Sequence, residues 1–181
     1  THQRFGGTDD ARLAQLHAAV RDPDIHLIIA LRGGYGISRL LPVIDFDAIA
    51  ASGKIIVGFS DVTALHMGLM ARTGALSYAG PMVAGDFGAE DPVPFTLDDF
   101  WACLTGPTHT IRETVSGNPQ LDVRGTVWGG NLAMIGSLVG TPYFPQLDGG
   151  ILWLEDISEH PYRVERLLLQ LMQTGVLERQ Q

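Results

Sequence analysis

Val57-Gly58-Phe59-Ser60-Asp61-Val62-Thr63 joins an apolar run, residues 54–59, to a stretch with helical spacing, residues 61–72. A strand that ends in serine and turns at once into a helix presents the hydroxyl at the rim of a sheet. The next backbone N–H, that of Asp61, then lies at a helix N-terminus, where partial positive charge gathers. That geometry suits a nucleophile. A serine there can equally act as an N-cap, accepting from the N–H groups of the helix behind it. The stretch alone leaves both readings open, and both place a strand–turn–helix unit at the centre of an α/β fold.

Upstream, residues 25–31 form an apolar run broken only by His26, the pattern of a strand buried on both faces in a parallel sheet. Arg32-Gly33-Gly34-Tyr35-Gly36 follows directly, and its glycines permit either a tight turn or a close backbone approach to a ligand. The spacing is neither a dinucleotide fingerprint nor a P-loop. Before it, Thr8-Asp9-Asp10 with Leu13, Leu16, Ala19 and Val20 predicts a capped amphipathic helix ending near Asp22-Pro23. Between the glycine loop and the serine, Asp45 caps a short helix closed by Gly53.

Past the serine, Val62, Leu65, Leu69 and Met70 give the helix an apolar stripe. His66 sits six residues on, about 9 Å along the axis at 1.5 Å per residue, too far to serve Ser60 as a base. Residues 76–79 read as a short strand, 85–94 as a loop, and Thr96 as the cap of a helix ended by Gly106-Pro107. From residue 108 to 122, including Ser116-Gly117-Asn118-Pro119, the pattern changes to turns and β-like residues, and a domain boundary is placed near residue 110. Beyond it come Trp128-Gly129-Gly130-Asn131-Leu132, a helix over residues 132–139, and the strand Ile151-Leu152-Trp153-Leu154, which delivers Glu155 and Asp156 at its end. A last amphipathic helix over residues 162–172 stops before Gly175.

Composition narrows the partners. The chain has 181 residues, a formal charge of −8 and no Lys/Arg cluster, so nucleic acid, which needs a basic footprint, is not an expected partner. No apolar run is long enough to cross a bilayer. The single cysteine, Cys103, excludes an internal disulfide; it reads as a core residue in an apolar helix and fits a reducing, cytoplasmic compartment. The histidines at 2, 17, 26, 66, 109 and 160 show no zinc-site spacing, and neither metal nor cofactor is expected. Trp128 reads as a core or interface residue, with substrate lining as the alternative.

Three strand ends therefore carry chemistry: the glycine loop at 32–36, Ser60 with Asp61, and Glu155 with Asp156. Backbone donors, a serine and a carboxylate are parts of an acyl-transfer site, and the part lacking is a base. His160, five residues past Glu155, would have to fold back across its own loop to supply it.

Taken together, Arg32-Gly33-Gly34-Tyr35-Gly36 with Arg39-Leu40-Leu41-Pro42, Gly58-Phe59-Ser60-Asp61-Val62-Thr63-Ala64-Leu65-His66, Gly80-Pro81, Gly129-Gly130-Asn131-Leu132, Gly140-Thr141 and Leu154-Glu155-Asp156-Ile157 closely resemble the L,D-carboxypeptidase family of serine peptidases. That family includes murein tetrapeptide carboxypeptidase and the microcin C self-immunity peptidases. The resemblance implies a Ser-His-Glu triad with Ser60 as nucleophile and Glu155 as acid. It implies an oxyanion hole from the N–H groups of Gly34 and Asp61, and substrate contacts from Gly33, Tyr35 and Asn131. The expected reaction is release of terminal D-alanine from murein tetrapeptides through an acyl-enzyme, without a metal, as part of peptidoglycan recycling. The expected partner is a small peptide with a D-residue, with a homodimer compatible with the family.

In the family the triad histidine lies several tens of residues beyond the glutamate, and no residue here matches it. The chain is thus expected to be a fragment lacking both ends. A flavodoxin-like or Rossmann-like, mostly parallel sheet domain over residues 1–110, short of its first βα unit, is followed by part of a second α/β domain over residues 111–181. A triad acts as a unit, so the 181 residues alone are expected to be nearly inactive. Two other readings stand beside this one: an amidase acting on peptidyl- or aminoacyl-nucleotide conjugates, and a non-catalytic α/β module holding an anionic peptide at the glycine loop and helix N-termini.

Overall fold

The structure, a computed structural model, describes residues 4–114, 116–117 and 120–181. His2 and the Asn118-Pro119 half of the expected turn lie outside the described residues. The elements up to residue 105 are α1 (Asp9–Arg21), β1 (Leu27–Ile29), α2 (Phe46–Ala51), β2 (Ile55–Gly58), α3 (Thr63–Thr73), β3 (Tyr78–Ala79) and α4 (Pro94–Thr105). After an irregular stretch follow β4 (Val127–Asn131), α5 (Leu132–Leu138), β5 (Ile151–Glu155) and α6 (Pro161–Gln173).

Local chemistry explains most boundaries. Thr8 Oγ1 accepts from Ala11 N–H at 3.2 Å, and Asp45 Oδ1 from Ala48 N–H at 2.9 Å, so α1 and α2 start at the side chains expected to cap them. Asn131 Oδ1 does the same for α5 through Met134 N–H at 3.2 Å. Gly74 closes α3 in the left-handed region, φ 72°, where a residue with a Cβ is strained. One expected cap is displaced: α4 begins at Pro94, two residues before Thr96. Proline at the first helical position has no N–H to satisfy and a φ already fixed for the helix.

The strands are shorter than their apolar runs. The run over residues 25–31 contributes only Leu27–Ile29 to the ladder, its residues are half-buried, and Leu31 is exposed where the chain leaves the sheet. Both pairings are parallel: β1 pairs with β2 from Leu27↔Ile55 to Ile29↔Val57, and β2 with β3 at Val57↔Tyr78 and Gly58↔Ala79. The order β1-β2-β3 puts β2 in the middle, and its Ile56 and Val57 are buried. Lys54 ties the entry to this sheet by donating to the carbonyls of Asp22 and Ile25. β4 and β5 form a second parallel pair, in register from Val127↔Ile151 to Asn131↔Glu155.

The helix behind Ser60 carries more than the stripe expected of it. Every residue of α3 from Thr63 to Leu69 is buried, as in a helix surrounded by protein. Gly68 admits the Phe46 ring of α2, since a Cβ there would lie 2.8 Å from Phe46 Cζ. On another side α3 meets α5 and β4. One contiguous apolar core results, joining Leu41, Phe46, Ile49 and Leu69 to Trp128, Leu132, Ile135 and Leu171. Burying each such side chain contributes about 1.5–3 kcal/mol. Trp128 is a core residue, 3% exposed, with its indole N–H donating to Gln180 Oε1 at 2.8 Å. Cys103 is only half-buried, because α4 sends just Phe100 fully into the core. Among the described residues no helix is long and apolar enough to cross a membrane.

Candidate active site

β2 ends at Gly58, Phe59 is extended, and Ser60 has φ 56° before a single 3-10 turn, Ser60–Val62, runs into α3. A non-glycine residue in the left-handed region costs about 1–2 kcal/mol, and only two described residues adopt it, Ser60 and Ser158. The sharp turn lifts the hydroxyl off the strand axis. It does not cap a helix: Ser60 Oγ lies 3.3 Å from Asp61 Oδ2, longer than the usual 2.5–3.0 Å for hydroxyl donors, and neither the 3-10 turn nor α3 has a side-chain cap. The N-cap alternative for Ser60 is thereby removed.

The glycine loop lies against this turn. A Cβ at residue 33 would sit 3.0 Å from both Cβ and Oγ of Ser60 and 3.3 Å from Asp61 Oδ2, so Gly33 is glycine because the Ser60 turn occupies that space. Gly34 has φ 151°, and Tyr35 starts a 3-10 turn, Tyr35–Arg39, that touches Ser60–Val62. Among the described residues neither the Gly34 N–H nor the Asp61 N–H donates to a backbone carbonyl. The Tyr35 ring is 53% exposed and meets Phe5 edge-on with centroids 5.4 Å apart.

The second sheet reaches the turn through α3. Asn131, last in β4, donates its N–H to Thr63 Oγ1 at 3.0 Å, three residues past Ser60. A Cβ at residue 130 would lie 2.4 Å from the same oxygen, so this approach also needs glycine. Glu155 is the register partner of Asn131, about 4.8 Å away across the ladder, and so ends at the same rim. Its Oε2 is buried and accepts no hydrogen bond among the described residues, a state that costs about 1–3 kcal/mol unless a donor meets it. Asp156, by contrast, is spent locally: its Oδ2 accepts from Glu159 N–H at 3.2 Å.

No described histidine takes the place of a base. His66 Nε2 lies 2.8 Å from Gly58 O, and since a carbonyl only accepts, that nitrogen carries the hydrogen. Burial drives the His66 pKa below its ordinary 6.5, with the Gly58 bond opposing in part, and Nδ1 is buried without a partner. His160 stacks on Tyr162 with centroids 5.8 Å apart. His17 accepts from Asp45 N–H, and His109 Nε2 lies 3.0 Å from Asp99 Oδ1 at an angle that gives no hydrogen bond.

Gly33, Ser60 and Asp61 are thus in contact, with Gly34 next to them. Asn131 and Glu155 are joined to this cluster through Thr63. Sequence reasoning passed over Thr63 and His66 as supports, because both sit in a helix whose apolar spacing drew attention to its other residues.

Two family models match the chain: the LD-carboxypeptidase N-terminal domain over residues 1–80 and the LD-carboxypeptidase C-terminal domain over residues 124–181. The crystal structure of muramoyltetrapeptide carboxypeptidase from Oxalobacter formigenes superposes with a TM-score of 0.95 at 47% identity, over 99% of this chain and 61% of that one. Murein tetrapeptide carboxypeptidase of Pseudomonas aeruginosa is 34% identical over 184 residues, 96% of this chain and 59% of its own length. The microcin C7 self-immunity protein of Escherichia coli is 32% identical over 203 residues, again 96% of this chain and 59% of its own length. The chain spans about three fifths of the length of these relatives. With an α/β fold of parallel strands and matches to both halves of one family, this chain belongs to the LD-carboxypeptidase family.

Proposed function

We propose that the protein carrying this chain is a serine carboxypeptidase that cleaves the L,D bond to a terminal D-alanine in murein tetrapeptides. The observation that carries this reading is the strained Ser60, held at φ 56° against Gly33 at the C-terminal end of the central strand. Ser60 Oγ attacks the scissile carbonyl and loses its proton to a base. The oxyanion is held by the N–H groups of Gly34 and Asp61, D-alanine leaves with the proton, and water releases the acyl group by the reverse steps. Glu155 orients the base, with its buried Oε2 as the acceptor. The base is a histidine, and no described histidine stands at that place. Gly33, Tyr35 and Asn131 line the peptide, and reuse of murein peptides in the cytoplasm is the setting.

The experiment is release of D-alanine from a murein tetrapeptide by the full-length protein and its Ser60→Ala variant. Loss of release in a variant that still folds supports the mechanism; equal turnover by both rejects it. A second reading keeps Ser60 and changes the substrate to an aminoacyl-nucleotide conjugate, favoured by the 32% identity to the microcin C7 self-immunity protein. Comparing release from the two substrates decides between them.

A further inference from the structure

The loop that carries Gly33 and Gly34 is gripped from behind by α1. Arg12 Nη1 donates to Gly36 O at 3.1 Å, while its Nη2 donates to Asp9 Oδ1 at 2.6 Å. The other oxygen of Asp9 accepts from Arg39 Nε at 2.9 Å and is ion-paired with Arg39 Nη2 at 2.7 Å. Both guanidinium groups lie over the Phe5 ring, at 4.9 and 5.8 Å, and that ring abuts Tyr35. Gly36 is the floor of this arrangement, since a Cβ there would lie 2.6 Å from two Phe5 ring atoms and 3.2 Å from Arg12 Nη1. The two cations hold the Asp9 carboxyl below its ordinary range. The Arg12 side chain is only 18% exposed, so its contact with Gly36 O is sheltered from water.

The start of the loop is pegged separately, by Val83 N–H to Ala30 O and Ala84 N–H to Leu31 O. Between these pegs and the Arg12 bond, the four residues 32–35 include two glycines, which lose more backbone freedom on ordering than any other residue. An unanchored loop of that composition would not hold the place against Ser60 where only a residue without a Cβ fits.

We propose that Arg12 is a positioning residue for the carboxypeptidase site: its bond to Gly36 O, braced by Asp9 and Arg39, fixes the Gly33–Gly36 loop against Ser60 and so sets the oxyanion donor. The proposal rests on the acyl-transfer reading above. Arg12 touches no reacting atom and acts through the loop. Because an oxyanion donor works in the transition state, loss of the clamp lowers kcat more than it raises KM through the loop's peptide contacts.

The test uses the full-length protein and its Arg12→Met and Arg12→Lys variants, Met keeping the apolar stem and Lys one charged donor. Amide hydrogen exchange is read alongside D-alanine release from a murein tetrapeptide, with Ser60→Ala as the blank. The expected result for Arg12→Met is exchange at Ile37 and Leu40, whose N–H groups donate to Gly34 O and Ile37 O, faster by tenfold or more, with α3 protection unchanged. Its kcat falls roughly 10–10²-fold, by a larger factor than KM rises, and Arg12→Lys recovers part of the loss. Unchanged loop exchange overturns the proposal whatever the activity does. Faster exchange with wild-type kcat overturns it too. If wild-type protein releases no more D-alanine than Ser60→Ala, the acyl-transfer reading fails instead, and the exchange data still decide whether Arg12 holds the loop.

Discussion

Thr63 and Asn131, 68 residues apart, share a hydrogen bond that joins α3, the helix after Ser60, to the end of the second sheet: the Asn131 N–H donates to Thr63 Oγ1 at 3.0 Å. Thr63 is buried, so water cannot replace it as the acceptor. Thr63→Val keeps the shape and removes the oxygen, leaving the Asn131 N–H unsatisfied at a cost of about 1–3 kcal/mol. Thr63→Ser should restore most of that stability. Urea denaturation of the three proteins measures it, and equal midpoints would show that the bond contributes nothing.

Ser60 trades stability for geometry. Replacing it by glycine relieves the left-handed strain and should make Ser60→Gly about 1 kcal/mol more stable than Ser60→Ala, with both inactive. Thermal denaturation of the pair checks the sign; an alanine variant as stable as the glycine one would mean that the turn carries no strain.

Gly33→Ala places a methyl 3.0 Å from Ser60 Cβ and Oγ. Ser60 must move by a few tenths of an ångström, and because the proposed acyl transfer depends on alignment, kcat should fall roughly 10²-fold while the protein remains folded. Steady-state kinetics beside a far-ultraviolet circular dichroism spectrum separates misalignment from unfolding.

Glu155→Gln keeps the shape of a side chain whose Oε2 is buried without a donor. Stability should change by less than about 1 kcal/mol, since no existing hydrogen bond of that oxygen is broken. Activity of the full-length protein should drop roughly 10⁴-fold, the cost of a mis-set base tautomer in serine peptidases. A large loss of stability with activity retained would assign Glu155 to the fold and not to the chemistry.

His66 makes stability depend on pH. Its folded pKa lies below 6.5 because the buried imidazole resists a charge, so between the two values the unfolded chain binds more protons. Its contribution is complete above pH 6.5 and declines as pH falls from 6.5 toward the lowered folded value, by at most about 1.4 kcal/mol per pH unit. His66→Gln, which can still donate to Gly58 O, should remove that part of the slope. Urea midpoints at pH 7.5 and 5.5 for both proteins give the difference, and parallel losses would clear His66.

The sequence by itself determined the elements and the order of their chemistry. Thr8 and Asp45 act on N–H groups three residues away, Ser60 follows two residues after β2, and β5 ends at Glu155, so neighbours along the chain suffice to show them. The tertiary structure decided what those ends do. Gly33 against Ser60, Arg12 on Gly36, and Thr63 beneath Asn131 are contacts across 24 to 68 residues, and no local periodicity encodes them. Their existence depends on closing long loops around α3, a cost repaid only when the common core assembles. Ser60 shows the division at one residue. Its place between strand and helix was legible in the chain, whereas its φ of 56° and its freedom from capping come from the packing of Gly33 and the second sheet around it.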